Sequence, residues 1–358
     1  MTAYADVWRI DERAFPHDGS NADRLRFAAR YAILAPSGHN GQPWRFTIDG
    51  ETLNVYADRA RALPTIDPDD RELLIACAAT VHLTRVALRH FGYHPQVQLL
   101  PDPADADLLA TVRLGQTGPD PRHHIDSTLD SLFAAITARH CNRRPYQPRP
   151  LVPEAVDRLC RAAHAEGAWL AVLACRPAIA AAADLIAEGD RVKWRDPVFR
   201  KELAERLIPN RGRRRDGMPG YAFGVHGALA RLAPSVVRHI DLGRLRAASD
   251  RRLALATPTL AVIGTDRDDP PAWLAAGQAM SHVLLRATAD GLATSFLSQA
   301  IEVPELRPRL AALLDRPGHP QLLLRVGYSA GQAHLAPRRP LPEVLTTRAT
   351  TAQDGARP

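Results

Sequence analysis

The stretch LAPSGHNGQPWRF (residues 34–46) separates an apolar, helix-like pattern from an alternating, strand-like pattern. Its prolines and glycines predict a loop, and its glycines allow a flat ligand to approach the backbone closely. Ser37, Asn40 and Gln42 add hydrogen-bond donors and acceptors. The stretch holds no pair of acids, no nucleophile–base couple and no metal-ligand spacing. It is therefore either a ligand-binding loop or an ordinary turn, because turns use the same residue types.

The composition indicates a soluble globular protein. A chain of 358 residues, with 46% hydrophobic and 24% charged residues, suits about two ordinary domains or one large domain. The N-terminal MTAYADVWRIDERAF lacks the apolar core of a signal peptide, and no apolar run approaches the roughly 20 residues of a membrane span. These features predict a cytoplasmic location and no membrane partner.

The net charge of +7 comes almost entirely from arginine, since Lys193 and Lys201 are the only lysines. Arginine suits phosphate and carboxylate ligands, although a GC-rich coding bias produces the same enrichment. No basic helix, zinc spacing or RNA-binding motif accompanies the charge, so we predict no nucleic-acid partner. An arginine-rich nucleic-acid binder remains a weaker alternative. The four cysteines form no CxxC pair, which predicts reduced thiols and no metal site.

The order of predicted elements divides the chain into two similar parts. The first contains a helix over 23–34, the hairpin WRFTI-DG-ETLNVY, a long helix opened by Asp67-Pro68 and ending before Gly92, and the strands QVQLL and LLATVRL. The second contains helices over 126–138 and 153–166, the strand WLAVLA, a further helix, the strand TLAVIGTD, a long helix ending before Gly291, and the strands ATSFL and PQLLLRVGY. We therefore predict two related α+β halves, residues 1–125 and 126–358. The second half carries an insertion at about 194–253, which is either a functional lid or a disordered loop.

Two arginine motifs complete the set of candidate binding segments. In RHCNR, at the end of a predicted helix, Arg139 and Arg143 are spaced i and i+4 and could together hold a phosphate around Cys141. The alternative is a solvated cationic helix end. Near the C-terminus, Arg338 and Arg339 lie in PRRPL, for which the alternative is a solvated tail.

Together, these segments resemble the FMN-dependent nitroreductase family, and most closely its fused, Acg-like branch. APSGHNGQPWRF is similar to the family's Pro-Ser-x-x-Asn-x-Gln-Pro-Trp segment, and RHCNR to its Arg-x-Ser/Thr-x-Arg phosphate clamp. GQAMSHVLLRATADGLATSFLSQ resembles its interface helix with the following strand, and PQLLLRVGY with PRRPLPEVL its C-terminal strand and arginine tail. The resemblance covers roughly residues 22–115, 130–175 and 255–345.

The resemblance implies an α+β, nitroreductase-like fold. Each half would hold an antiparallel or mixed sheet flanked by helices, and the halves would be fused as an intramolecular pseudo-dimer. In this family one flavin lies at a dimer interface and takes the clamp from one subunit and the Pro-Ser loop from the other. Here only the first half has the loop and only the second half has the clamp, with ACRPAIAAAADLI in place of a second loop. We therefore expect one FMN site instead of two.

The resemblance also implies roles for individual residues. Arg139, Cys141 and Arg143 would hold the phosphate and ribityl end, with a further phosphate contact from Arg338 or Arg339. Arg143 is also the candidate cation near the pyrimidine end of the flavin. The isoalloxazine would be lined by Pro36, Ser37 and Asn40 with Gln42 nearby, and approached by Ser298 and Gln299. No side chain would act as catalyst, because the flavin N5 carries the chemistry, and no metal is implied. Cys141 departs from the family's Ser or Thr, and a thiol is a weaker donor.

The implied function is an oxidoreductase that passes electrons from NAD(P)H through FMN to a nitroaromatic, quinone or other conjugated acceptor in a ping-pong cycle. The alternative is a lidded protein that sequesters or stores FMN with little turnover. The expected partner is a small-molecule substrate. The assembly would be a monomer, itself a pseudo-dimer, or a homodimer.

Overall fold

The computed structural model describes residues 6–115 and 127–348, except residues 211, 226, 228, 330 and 332. Its helices are α1 (Asn21–Ala32), α2 (Arg71–His90), α3 (Ser127–Ala138), α4 (Pro153–His164), α5 (Arg176–Arg195), α6 (Pro197–Arg206), α7 (Leu229–His239), α8 (Gly243–Leu255), α9 (Pro270–Ala289), α10 (Gln299–Glu302) and α11 (Arg307–Ala312). Its strands are β1 (Trp44–Asp49), β2 (Thr52–Ala57), β3 (Pro95–Leu99), β4 (Leu108–Leu114), β5 (Trp169–Leu173), β6 (Leu207–Ile208), β7 (Met218–Pro219), β8 (Thr259–Thr265), β9 (Ala293–Phe296), β10 (His319–Gly327) and β11 (Leu345–Arg348). None of these helices combines the length and the apolar character that a membrane crossing requires.

Two sheets repeat one topology. The first has the order β11-β1-β2-β4-β3 and the second the order β5-β8-β10-β9. Apart from β11, each sheet consists of four strands that pair antiparallel. In both sheets the spatial order is the first, second, fourth and third of these strands in chain order. Along the chain, the long helix of each half follows the second strand and precedes the last two strands: α2 lies between β2 and β3, and α9 between β8 and β9. The predicted α+β architecture of two related halves is confirmed by this topology.

The long helices of the two halves end in the same way. Gly92 and Gly291 both have positive φ, at 85° and 70°. The N–H groups of Gly92 and Tyr93 donate to the carbonyls of Arg89 and Leu88, and residues 291 and 292 repeat this pattern with 288 and 287. This glycine-dependent cap satisfies the last carbonyls of each helix and turns the chain toward the next strand.

The two halves meet along α2 and α9, which pack directly against each other. At Gly277 of α9 a Cβ atom would lie only 2.2 Å from the carbonyl oxygen of Ile75 and 2.7 Å from the Cβ of Ala78. A glycine is therefore required where the two helix backbones approach. The residues buried around this contact form one hydrophobic core that is continuous between the halves.

Three features differ from the sequence-based expectations. Helix α2 begins at Arg71, with Asp70 at its N-cap position. Asp67 lies before the helix, where its carboxylate accepts the N–H groups of Glu72 and Leu73, each at 2.9 Å. Strand β11, from the C-terminal tail, pairs parallel with β1 and so completes the sheet of the other half. The chain between β5 and β8, residues 174–258, holds α5 to α8 and so exceeds the predicted 194–253. We call residues 174–258 the intervening segment.

Candidate functional site

A cavity of about 670 Å³ lies where the two halves and the intervening segment meet. The first half contributes residues 36–40 and the start of α2. The second half contributes residues 139–144, the end of β9 with the residues after it, and part of the C-terminal tail. The remaining wall comes from the intervening segment. A volume of this size suits a cofactor or a drug-sized ligand.

The loop over residues 36–42 is held in an unusual backbone conformation. His39, Asn40 and Gln42 all have positive φ, between 47° and 54°, which is uncommon for residues other than glycine. The Asn40 amide donates to the carbonyls of Gly217 and Pro337, each at 3.0 Å, and its Oδ1 accepts from Arg338 Nη1 at 2.7 Å. All the hydrogen-bonding groups of this side chain are thus engaged within the protein. Asn40 therefore positions the loop, and its side chain has no donor left for a ligand.

Arg139 and Arg338 form a buried cationic pair at the cavity wall. Their exposed fractions are 4% and 3%, and the Nη2 atoms of both donate to the carbonyl of Leu34, at 3.0 and 3.2 Å. Within the described ranges, neither guanidinium forms an ion pair with a carboxylate, and the buried Nε of Arg338 has no hydrogen-bond partner. Burial lowers the pKa of Arg139 to about 10, and burial together with the nearby Arg139 lowers the pKa of Arg338 to about 9. Both remain charged at neutral pH, so the pair is uncompensated positive charge that favours an anion.

Two histidines beside this pair are neutral at physiological pH. Burial, reinforced by the charges of Lys193 and Arg143, lowers the pKa of His39 to about 3. Burial with the charges of Arg139 and Arg338 does the same for His140. Neither histidine therefore adds positive charge at this end of the cavity.

The predicted helical clamp is wrong in its geometry. Helix α3 ends at Ala138, and Cys141 then bridges to Thr294 of β9, with the N–H of Asn142 donating to the Thr294 carbonyl at 2.8 Å. Arg139 and Arg143 are therefore not on one helical face. The partner of Arg139 at the cavity is Arg338, whereas Arg143 donates to the carbonyl of Ala222 in the intervening segment at 2.8 Å.

Most of the predicted binding residues lie together at the cavity wall, namely Pro36, Ser37, Asn40, Arg139, Cys141, Arg143, Ser298, Gln299 and Arg338. Gln42 and Arg339 do not line it. Gln42 is fully buried behind the loop, where its Oε1 accepts the N–H of Arg339 and its Nε2 donates to the carbonyl of Arg215, each at 2.8 Å. The Arg339 guanidinium turns toward Glu343 and Asp58. Of the two tail arginines, Arg338 faces the cavity.

Comparison with known proteins places the chain in a family. A Mycobacterium tuberculosis (strain H37Rv) protein with the provisional name of NAD(P)H nitroreductase is 33% identical over 341 residues, which cover 91% of this chain and 92% of the relative. The chain belongs to this NAD(P)H nitroreductase family. The acg protein of the same organism, given the same provisional description, is 29% identical over 91% of this chain and 96% of its own length. The family predicted from the loop and arginine motifs is thus confirmed. No family model matches the sequence.

A solved FMN- and NADPH-dependent nitroreductase, NfnB of Sphigopyxis sp. strain HMH, covers 61% of this chain and 99% of its own, with 18% identity and a TM-score of 0.41. This similarity is too low to carry an argument about the present chain.

The repeated topology shows why this nitroreductase-family chain has one such loop. Eleven residues, 33–43, connect α1 to β1 in the first half, whereas four residues, 165–168, connect α4 to β5 in the second. The stretch ACRPAIAAAADLI, expected to replace the second loop, instead follows β5 and forms the start of α5. The second half therefore has no segment long enough to form an equivalent loop at the equivalent position.

Arg325 is one of the cavity residues that the sequence analysis missed. Arg325, 1% exposed, donates through Nε to Ser295 Oγ at 2.9 Å and through Nη2 to the carbonyl of Asn142 at 3.1 Å. Its guanidinium also lies 4.3 Å from the ring centroid of Tyr146. It therefore fixes the extended stretch after α3 against β9. A single arginine in the otherwise apolar run LLLRVG was the available signal.

One group of described residues has ligand atoms close enough to hold a metal ion, namely His82, Glu166 and His282. It lies across the contact between α2 and α9 and contributes nothing to the cavity wall. Glu166 is already engaged by Arg85, with Nη1 and Oε2 2.5 Å apart. The group thus has a structural role in joining the halves as an ion-paired cluster.

Proposed function

We propose that this chain is an FMN-dependent oxidoreductase of the nitroreductase type, which uses NAD(P)H as electron donor. The observation that carries the proposal is the buried pair Arg139 and Arg338, charged and without a carboxylate partner among the described residues. A buried uncompensated charge destabilises a protein unless a ligand neutralises it. The phosphate of FMN is an anion that matches two guanidinium groups.

The cavity wall suggests which residues would hold each part of the cofactor. Arg139 and Arg338 would bind the phosphate, with the half-buried Cys141 beside them. Pro36 and Ser37 would line the ring from the first half, and Ser298 from the second. FMN bound here supplies two-electron chemistry at its N5 atom. The chain's contribution is to bind and orient it and to limit access of water.

The apolar part of the wall supports flat, conjugated acceptors such as nitroaromatics and quinones. It includes Leu63 and Ile66 of the first half and Phe199 and Leu203 of α6. These side chains offer no charge and no hydrogen bond, so they favour an aromatic or otherwise conjugated surface. We propose this acceptor class on the chemistry of the wall.

The intervening segment would act as a lid on this site. It is joined to the Pro-Ser loop by two hydrogen bonds of 3.0 Å, one from the Gly217 N–H to the Asn40 carbonyl and one from the Asn40 amide to the Gly217 carbonyl. These contacts also support the alternative that the segment closes the site enough to sequester FMN with little turnover. The division into residues 1–125 and 126–358 stays a prediction, as does a cytoplasmic monomer or homodimer.

The deciding experiment is the visible spectrum of the purified protein after reconstitution with FMN, followed anaerobically as NADPH and then NADH is added. Rapid bleaching of the flavin bands is the expected result for a reductase. Bands that persist with both donors would favour sequestration. A protein that takes up no FMN, measured by equilibrium dialysis, would refute both proposals.

A further inference from the structure

A pair of buried carboxyl groups lines the cavity on the side of the intervening segment. Asp190 of α5 and Asp250 of α8 are 4% and 3% exposed. Neither belongs to the phosphate-binding pair or to the loop. Two acids buried together in a ligand cavity require a physical reason, because each ionised carboxylate disfavours the other.

The two acids have different surroundings. Asp250 accepts two hydrogen bonds from Arg246 Nη2, each at 3.0 Å, and one from Gln299 Nε2 at 2.9 Å. Asp190 forms no ion pair within the described residues, and its buried Oδ2 has no hydrogen-bond partner. Asp250 is thus ion-paired with Arg246, whereas Asp190, which has no ion pair and an Oδ2 without a partner, is the member of the pair that can carry a proton.

Close packing places Asp190 beside the flavin-facing part of the wall. The adjacent residue, Gly189, lies against the backbone of Gln299, where an added Cβ would be only 2.7 Å from the Gln299 carbonyl oxygen. Gln299 and Ser298 are the residues that follow β9 at the cavity. Helix α5 therefore approaches the cavity wall as closely as a backbone contact allows.

The charges around Asp190 come from three helices. Asp250 and Arg246 face it from α8, Lys193 lies one turn away on α5, and Glu302 of α10 is hydrogen-bonded to Lys193. Burial, followed by the charge of Asp250, raises the pKa of Asp190 to about 7, while Lys193, Arg246 and a side-chain hydrogen bond with Gln299 oppose the shift. A buried carboxyl that titrates near neutral pH and lines a ligand cavity suits proton donation.

Resting on the proposed function, we propose that Asp190 donates the proton that an acceptor needs when it is reduced in this cavity. A quinone that takes up a hydride, with its two electrons, becomes a hydroquinone monoanion. The O–H bond of Asp190 then breaks and an O–H bond forms on that oxygen, giving the neutral hydroquinone. The Asp190 carboxylate recovers its proton from water. Asp250, fixed by Arg246 and Gln299, positions Asp190 without donating.

The experiment compares Asp190→Asn with wild type in the FMN-reconstituted protein by anaerobic stopped flow. After reduction with NADPH, the flavin is reoxidised either by p-benzoquinone, which takes a proton, or by ferricyanide, which takes electrons only. We expect Asp190→Asn to slow reoxidation by the quinone about 100-fold or more. FMN uptake, reduction by NADPH and reoxidation by ferricyanide should be unchanged. The matched control is Asp184→Asn, an exposed acid on the same helix that pairs with Arg251.

Two measurements keep the inference testable if the variant folds poorly. In wild type, the rate of flavin reoxidation by the quinone should fall as pH rises through about 7, whereas the rate with ferricyanide should not change. In the FMN-free protein, stability from urea unfolding should decrease between pH 5 and pH 8 in wild type relative to Asp190→Asn, because a raised folded-state pKa gives stability that is lost on deprotonation. Equal quinone rates for wild type and variant at every pH would overturn the inference and leave the proposed function standing. Failure to bind FMN would overturn the proposed function instead.

Discussion

Substitution of Arg139 by glutamine should raise the stability of the FMN-free protein and weaken FMN binding. Arg139 is buried and charged, and its pKa is lowered from 12.5 to about 10. That difference corresponds to a penalty of about 3 kcal/mol for burying the charge. Because pH 7 lies below the pKa of both the folded and the unfolded state, Arg139 is charged in both and the full penalty applies. The variant loses one hydrogen bond from a charged donor, to the Leu34 carbonyl, worth about 1.5–3 kcal/mol. That carbonyl keeps its bond from Arg338. The net expectation is a gain of up to about 1.5 kcal/mol.

The same substitution removes a charge-assisted contact to the FMN phosphate. Such contacts contribute about 1.5–3 kcal/mol, so the Kd for FMN should rise about 10- to 150-fold. Urea unfolding with and without FMN measures the stability, and quenching of flavin fluorescence measures the affinity. Arg161→Gln, an exposed arginine of α4, is the matched control and should change neither quantity. Lower stability of the FMN-free Arg139→Gln with unchanged FMN affinity would refute the reasoning, since it would make Arg139 purely structural.

Three other predictions follow from the same geometry. Gly277→Ala should destabilise the protein by about 1–3 kcal/mol in urea unfolding, because its Cβ would meet the Ile75 carbonyl. The control Gly212→Ala, at a position with open space around it, should leave the stability unchanged. Equal stability of the two variants would disprove the tight contact at Gly277. Cys141→Ser should lower the Kd for FMN by up to about tenfold, since a hydroxyl is a stronger hydrogen-bond donor than a thiol. The control Cys175→Ser, at an exposed cysteine, should leave the Kd unchanged. A higher Kd for Cys141→Ser would argue against a polar contact between residue 141 and FMN. Reconstituted protein should hold one FMN per chain by absorbance and protein assay, and two would contradict the single composite site.

Much of the fold could be predicted from the sequence because it depends on local patterns. Alternating apolar residues, the β1–β2 hairpin and the glycines after the two long helices are read from neighbouring residues, and the structure has each of them. The hairpin turn is formed by Gly50 and Glu51 instead of Asp49 and Gly50, because Asp49 pairs with Thr52 as the last residue of β1. The cavity residues on the 36–40 loop could also be predicted, because a polar loop between apolar elements is a local signal. The family resemblance then predicted where the two halves would share a site.

The position of the C-terminal tail and the partners of the cavity arginines could be known only from the tertiary structure. Arg338 and Arg339 are adjacent and identical in type, yet one faces the cavity and the other Glu343, because β11 fixes the direction of the chain. Arg139 finds its partner about 200 residues away instead of four, because α3 ends one residue before it. The i, i+4 spacing rule holds only within a helix. It cannot show where the helix ends when the residues that follow pair with a strand distant in sequence.

By itself, the sequence determined most helices and strands of the two halves and the similarity of those halves, since these follow from hydrogen bonds and apolar periods within a few residues. Helices α6 to α8 and strand β11 were not predicted from it. Only the tertiary structure decided which charges face one another. Asp190 and Asp250 are sixty residues apart on two helices with no shared motif, and their apposition comes from packing of α5 against α8. Burial then sets whether such a group keeps its charge, and burial is a property of the whole fold rather than of any segment.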